Sequence, residues 1–388
     1  MKEDTRLVHL ARRPPEAEGT VNLPVHRAST VLSTDAASYL VRHDGQRRYD
    51  NVTYGATGTE NAKALGRAVA ELEGGYKSIV TASGLSACTL GLSAYLGAGD
   101  HVLVSDSAYG PTRRFCDVVL KRYGVDTTYY DPGVTPDALA PLVRANTRLI
   151  YLEAPGSLTF EMQDVPALAG FAHERGILSA IDNTWASPIG FKPLEHGVDI
   201  SIQAGTKYLA GHSDLVIGMV TTSDPALFEQ VADHVMIYGD VAGPDDCYLC
   251  MRGIRTLSVR LSRQFESALT IARWLEARPE VRRVLYPPLE SDPGHELFTR
   301  DFTLGASLFG VALHTTDQAA AFRLIDNLKL FGIGSSWGGF ESLVAINTMP
   351  LPRAVIPWEE TPFLLRFHIG LEDPEDLIED LEAALSAL

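Results

Sequence analysis

From Glu60 onward the chain alternates two kinds of apolar pattern, and that alternation narrows the available folds more than any other feature. Short, nearly continuous apolar runs at Ser78–Ala82, His101–Ser105, Arg148–Glu153, Ile177–Asp182 and Leu215–Thr221 have the length of strands buried on both faces. Between them lie stretches such as Ala62–Glu73, Leu85–Leu96 and Val165–Arg175, whose apolar residues recur at helical spacing. A strand that is apolar on both faces needs a covering layer on each, so this order predicts an α/β chain with a mostly parallel sheet between helices. From Leu257 the pattern sets Leu257, Leu261, Phe265, Leu269, Ala272 and Leu275 on one face before Pro279 ends it, which predicts a long helix leading into a smaller C-terminal domain. Residues 1–58 are polar and broken by Pro14, Pro15 and Pro24, as expected of an extended arm that reaches a neighbouring subunit. The expected division is therefore an arm (1–58), a large domain (59–252) and a C-terminal domain (253–388).

In open α/β sheets ligands collect at the carboxyl ends of the strands, so the residues that close each run matter most. Asp182 ends the run Ile177–Asp182, and Lys207 lies downstream in Ser201-Ile-Gln-Ala-Gly-Thr-Lys-Tyr-Leu-Ala-Gly-His-Ser-Asp214. A lysine shielded from water loses proton affinity and becomes a nucleophilic amine, which a Schiff base to an aldehyde cofactor requires. A carboxylate at a strand end can keep a pyridine nitrogen protonated, so that the ring withdraws electrons. Taken singly, Lys207 also fits a lysine snorkelling to solvent and Asp182 a turn former. Taken together they favour pyridoxal phosphate (PLP). Its phosphate would meet Ala82-Ser-Gly-Leu-Ser-Ala87, where the backbone N–H groups of Gly84 and Leu85 open a helix, with the hydroxyl of Thr206 beside it.

Four stretches, Ile181-Asp-Asn-Thr-Trp185, Ser201–Asp214, Ser336-Trp-Gly-Gly-Phe-Glu-Ser342 and Arg366-Phe-His-Ile-Gly-Leu-Glu-Asp373, resemble the cystathionine β-lyases of the Cys/Met-metabolism family of PLP-dependent enzymes. The similarity runs from about Tyr49 to the C-terminus in the family's order. It implies the PLP-transferase type I fold of aspartate aminotransferase: a large domain with a mostly parallel seven-stranded sheet flanked by helices, a smaller α+β C-terminal domain and an extended N-terminal arm. It further implies that Tyr109 stacks on the cofactor ring and helps proton transfer, and that Tyr54 reaches a partner subunit's phosphate and substrate. Arg366 would clamp the substrate α-carboxylate, with Ser336 assisting and Trp337 shaping the pocket. Trp337 and the loop Glu153-Ala-Pro-Gly-Ser157 favour β-lyases over γ-synthases and γ-lyases. The implied reaction is β-elimination on a sulfur amino acid, cystathionine first, with γ-type chemistry or C–S cleavage of cystine and S-conjugates as alternatives. The implied assembly is a homotetramer built as a dimer of dimers.

One position departs from the pattern. Where the family places a phosphate-binding arginine after the arm tyrosine, this chain has Ala56, which offers no charge-assisted contact. Thr57, or an arginine of the pair Arg113-Arg114, is expected to compensate; Arg114 also lies where γ-synthases carry an arginine. Composition excludes other classes: a formal net charge of -16 argues against nucleic acid or an anionic membrane as partner. The acidic start Met1-Lys-Glu-Asp lacks a secretory leader's basic region, and no apolar run reaches membrane-spanning length, so a cytoplasmic enzyme is expected. Cys247-Tyr-Leu-Cys250 has C-x-x-C spacing but leads into a helical pattern, so it is expected to be helix core rather than a metal or redox site.

Overall fold

A computed structural model describes every residue except 13–18, 46–48, 349–350, 352 and 387–388, so Pro14 and Pro15 of the expected arm lie outside the described residues. The first sheet has seven strands: β1 (Lys77–Thr81), β2 (His101–Ser105), β3 (Asp126–Tyr130), β4 (Thr147–Glu153), β5 (Leu178–Asp182), β6 (Ile200–Gln203) and β7 (Gly218–Thr222). Their spatial order is β1-β7-β6-β5-β4-β2-β3. Only β7 runs against its neighbours; β2, β3, β4, β5 and β6 pair in parallel, and β1, antiparallel to β7, points the same way as they do. Six strand ends therefore gather on one edge, the edge to which the sequence assigned the ligand.

The reason for the sheet is visible in β4. Leu149 and Tyr151 pack into one buried cluster, whereas Ile150 and Leu152 pack into another on the opposite face. Period-two alternation of residues that are all apolar builds a strand covered on both sides. The last strand begins at Gly218 rather than at the expected Leu215. Ile217 just before it is diverted, because its N–H and its carbonyl both bond the Thr206 hydroxyl, at 2.9 and 3.1 Å.

A second sheet follows the helix Leu257–Glu276: β8 (Val281–Leu285), β9 (Leu308–Leu313), β10 (Gly332–Ile333), β11 (Leu343–Thr348) and β12 (Phe363–His368), in the order β10-β11-β12-β9-β8. The long helix buries Leu257, Leu261, Ala268, Ile271, Ala272 and Leu275, while Phe265 and Leu269 sit at the margin of the stripe. Gln264 takes a place in the stripe because its amide donates to Gly339 O at 2.6 Å. Trp185, in the turn after β5, joins the two sheets: its ring N–H donates to Leu308 O at 2.9 Å and its edges meet Tyr286, Phe298 and Phe302.

The first residues differ from the expected extended arm. Glu3–His9 is helical, and Leu7 and Leu10 are each 1% exposed, with Arg255 donating to both of their carbonyls at 2.7 Å. Two leucines at i, i+3 suffice to dock one helical face, a pattern hidden by the charged residues around them. Further on, Asp35 caps the helix Ala36–Arg42, which buries none of its own residues and leaves Tyr39, Leu40 and Val41 exposed. Among the described residues no helix is long and apolar enough to cross a membrane.

Candidate active site

Lys207 lies in the turn after β6, beyond the strand end, and its side chain reaches the C-terminal half of the chain. Its Nζ donates to Ser336 Oγ at 2.5 Å and stands 5.3 Å from the centre of the Trp337 ring. Burial, with the guanidinium of Arg366 nearby, lowers its amine from 10.5 to about 8. Asp182 closes β5 in the neighbouring position. Its Oδ1 accepts the N–H and the hydroxyl of Thr184, at 3.0 and 2.5 Å, and burial raises its carboxyl above the ordinary range. A half-buried carboxylate at a strand end suits a cationic partner such as a protonated ring nitrogen.

The residues expected to meet a phosphate open the helix Gly84–Ser93. Ser83 caps it by accepting Ser86 N–H at 3.0 Å, and the first intrahelical bond runs from Ala87 to Ser83, which leaves the Gly84 and Leu85 amides open. Gly84 must be glycine, since a Cβ there would lie 2.4 Å from Ala204 Cβ in the turn that carries Lys207. Thr206 stands beside them, with its hydroxyl occupied by Ile217 as described. Sequence reasoning missed Asp240, whose carboxylate accepts Ala82 N–H at 2.6 Å and bonds the Ser86 hydroxyl at the same helix end. No local motif marks it, because it arrives from beyond the helix Pro225–Ile237.

Arg366 projects from β12 opposite Gly310 and Ala345. Its Nη2 donates to Ser336 O at 3.2 Å, and among the described residues no carboxylate pairs with it; burial lowers its proton affinity. A half-buried guanidinium with no carboxylate partner suits a ligand anion, which its planar fork can grip in two places. The loop between them is tightly determined. Ser336 adopts φ +77, and Gly338 at φ +85 passes so close that a Cβ would meet the Lys207 and Tyr208 backbone at 2.8 Å. His368 fastens the loop through Gly338 N–H at 3.1 Å, and Ser307 supports the ring from the other side at 3.1 Å. Its role was not read from the sequence.

Tyr109 opens a helix after β2 with its ring partly exposed, and its N–H donates to Glu153 Oε2 at 2.7 Å. Glu153 ends β4 in register with Asp182; burial and that neighbouring carboxylate push its carboxyl well up. Tyr54 is elsewhere. It bridges to Thr30 on the surface, 50% exposed, and within this chain it is not brought to Lys207. Tyr238 is likewise on the surface, packed against His234. Cys247 and Cys250 are buried in the helix Pro244–Ile254.

The expected substitutes for the missing arginine are revised. Arg113 is not free to meet a phosphate: its Nη1 bonds Asp106 Oδ1 at 2.8 Å and Asp106 O at 3.0 Å, and its guanidinium stacks on Tyr129. Buried beside a carboxylate, it serves the fold instead. The Thr57 hydroxyl donates to Tyr54 O at 2.8 Å, so it too is engaged locally. Arg114 alone remains exposed.

The arrangement thus offers an amine of lowered basicity, a half-buried carboxylate, two open helix amides and a guanidinium with no carboxylate partner among the described residues, a donor set that fits PLP and an amino-acid carboxylate. Residues 4–386 match the Cys/Met metabolism PLP-dependent enzyme family. The cystathionine beta-lyase of Bordetella avium is 43% identical over 390 residues, covering 98% of this chain and 97% of that one. The L-alanine/L-glutamate racemase of Wolbachia pipientis wMel is 38% identical over 100% of this chain and 98% of its own. Among solved structures, cystathionine gamma synthase of Xanthomonas oryzae pv. oryzae, in complex with aminoacrylate and cysteine, superposes with a TM-score of 0.91 at 31% identity over 100% of this chain and 98% of that one. With a family match over nearly the whole chain and whole-length similarity in sequence and fold, the chain belongs to the Cys/Met-metabolism family of PLP-dependent enzymes.

Proposed function

We propose that this enzyme catalyses β-elimination on a sulfur amino acid, cystathionine in the first place, to give homocysteine, pyruvate and ammonia. The observation that carries this reading is the convergence of Lys207 with the Ser336-Trp337 loop, Nζ being 2.5 Å from Ser336 Oγ and 5.3 Å from the indole centre. The tryptophan is the residue by which this chain resembles β-lyases rather than γ-type relatives. Bound PLP supplies an electron-withdrawing ring that takes up the charge left at the substrate Cα.

The chain's own groups supply the rest. Gly84 and Leu85 N–H groups hold the phosphate, and Asp182 holds the proton on the ring nitrogen. Arg366 grips the α-carboxylate with its planar fork, and Ser336 assists. This fixes the substrate so that its Cα proton faces Lys207 Nζ. An amine lowered to about 8 is a free base in a useful fraction near neutral pH, so Nζ can take the Cα proton and return it to the departing sulfur. Tyr109, a protonated phenol whose affinity burial raises, assists that transfer. Tyr54 and the exposed apolar residues Tyr39, Leu40 and Val41 belong to the part of the arm that completes a partner's site in a dimer or a dimer of dimers.

A second reading has its own support. The Xanthomonas gamma synthase shares the fold at a TM-score of 0.91, and Arg114 stands exposed where γ-synthases carry an arginine. The Wolbachia relative, named a racemase, extends the range to chemistry that would need only Cα proton exchange. Incubation with cystathionine, with cystine, with an O-acylhomoserine plus cysteine, and with L-alanine separates these. Pyruvate with free thiol supports β-elimination; 2-oxobutanoate or a new thioether overturns it in favour of γ-chemistry, and D-alanine alone in favour of racemisation. Lys207→Ala is expected to lose both the visible absorbance of the bound cofactor and pyruvate formation, and retention of turnover would sink the mechanism.

A further inference from the structure

The two oxygens of Asp182 are held by different elements. Oδ1 is fixed by Thr184, two residues along its own strand end. Oδ2 is reached from behind: Cys88 Sγ lies 3.6 Å from it, and the Tyr151 hydroxyl lies 3.7 Å from that sulfur. Cys88 belongs to the helix Gly84–Ser93 and Tyr151 to β4, so three elements meet in one line. Cys88 is 2% and Tyr151 0% exposed. Hydrogen bonds to sulfur are weak, but in a dry site neither group has water as an alternative.

We infer that Tyr151 and Cys88 form a hydrogen-bonded relay, phenol to thiol to carboxylate, that positions Asp182 Oδ2 for the ring nitrogen of the cofactor, an inference that rests on the reading of the site given above. The directions follow from chemistry. An ionised carboxylate only accepts, so the thiol proton faces Asp182, and the sulfur lone pair is left to accept the phenol proton. Burial and the charge of Asp182 push the Cys88 thiol well up, which keeps that proton in place. The other groups facing Asp182 do not replace the relay. Glu153 on β4, its carboxyl pushed well up by burial and then by Asp182, accepts Tyr109 N–H, Lys207 Nζ is bonded to Ser336, and burial raises the Tyr109 phenol above its ordinary range. Cys88 and Tyr151 are thus positioning residues: neither touches substrate, and both act through Asp182.

The test compares the holoenzyme of Cys88→Ala, Cys88→Ser, Tyr151→Phe and Asp182→Asn with the parent. The readouts are PLP affinity by equilibrium dialysis, the pH at which the visible absorbance of the bound cofactor changes, and the melting temperature of the cofactor-free proteins. Cys88→Ala is expected to weaken PLP binding by roughly three- to tenfold and to move the spectral midpoint. Cys88→Ser keeps a donor and an acceptor and is expected to stay within about twofold of the parent. Tyr151→Phe is expected to move the midpoint in the same direction as Cys88→Ala, by less. The relay is overturned if Cys88→Ala leaves affinity and midpoint unchanged, or if the serine and alanine variants lose affinity equally in step with melting temperature, which marks packing alone. An unchanged spectrum in Asp182→Asn overturns the cofactor reading itself, and the relay with it.

Discussion

The lowered basicity of Lys207 is testable without any substrate. In the cofactor-free protein this amine is folded into a site that disfavours its charge, mainly through burial and then through Arg366. A fall from 10.5 to about 8 corresponds to about 3 kcal/mol of differential interaction at most. The sign follows from proton counting. The folded chain holds this proton less tightly than the unfolded chain, so folding costs most below about pH 8, the cost falls between about 8 and 10.5, and it is gone above that. Lys207→Met keeps the stem and removes the titration. The stability gap between variant and parent should therefore shrink by about 2 kcal/mol between neutral pH and the upper end of that window, the parent gaining on the variant. Comparing the two proteins cancels the tyrosines and other lysines that titrate in the same range. Calorimetry of the stripped proteins at both pH values gives the gap. A gap independent of pH would refute the argument that burial sets the basicity of Lys207.

Two further outcomes follow from the geometry. Arg366→Met should leave the bound cofactor's visible absorbance in place while lowering kcat/KM by roughly ten- to a hundredfold, the worth of a charge-assisted bond, and Arg366→Lys should recover only part because it lacks the planar fork. Asp106→Asn should destabilise the fold by about 3–5 kcal/mol, measured by denaturant unfolding, because the buried Arg113 loses its carboxylate, whereas Arg353 keeps its pair with Glu161. Although burial acts upward on the Asp106 carboxyl, the N–H groups of Ala354, Val355 and Ile356 and then Arg113 hold it below its ordinary 3.8. Its stabilisation is present above that pH and is lost as the pH falls through the lowered value.

Part of the candidate site was legible because Asp182 closes a strand and its companions lie just beyond one. Asp182 and Lys207 stand in local patterns that betray a strand end and a buried amine, and Gly84 marks a helix start. Leu215 misled because a strand's apolar run continues into a turn, and only the Thr206 hydroxyl decides where the ladder begins. Leu7 and Leu10 misled because two residues among charges make no visible period, yet Arg255 and the core hold them. Asp240 and Cys88 lie in no quoted motif, and His368 lies in one whose pattern did not disclose its role. Each matters through a partner remote in sequence, Ala82 and Ser86, Gly338, or Asp182.

The sequence by itself determined the alternation of buried strands and covering helices, and with it the edge where a ligand must lie, because hydrophobic period and strand-closing residues are local properties. The tertiary structure alone decided which arginine is free and which is spent. Arg113 and Arg366 are both cations in apolar surroundings, but Asp106 lies 2.8 Å from one guanidinium and no carboxylate of the described residues pairs with the other. That difference is set by which neighbours folding brings beside the helix Gly110–Phe115 and strand β12. A residue's chemistry is written in its side chain, and its availability in the partners that folding sets around it.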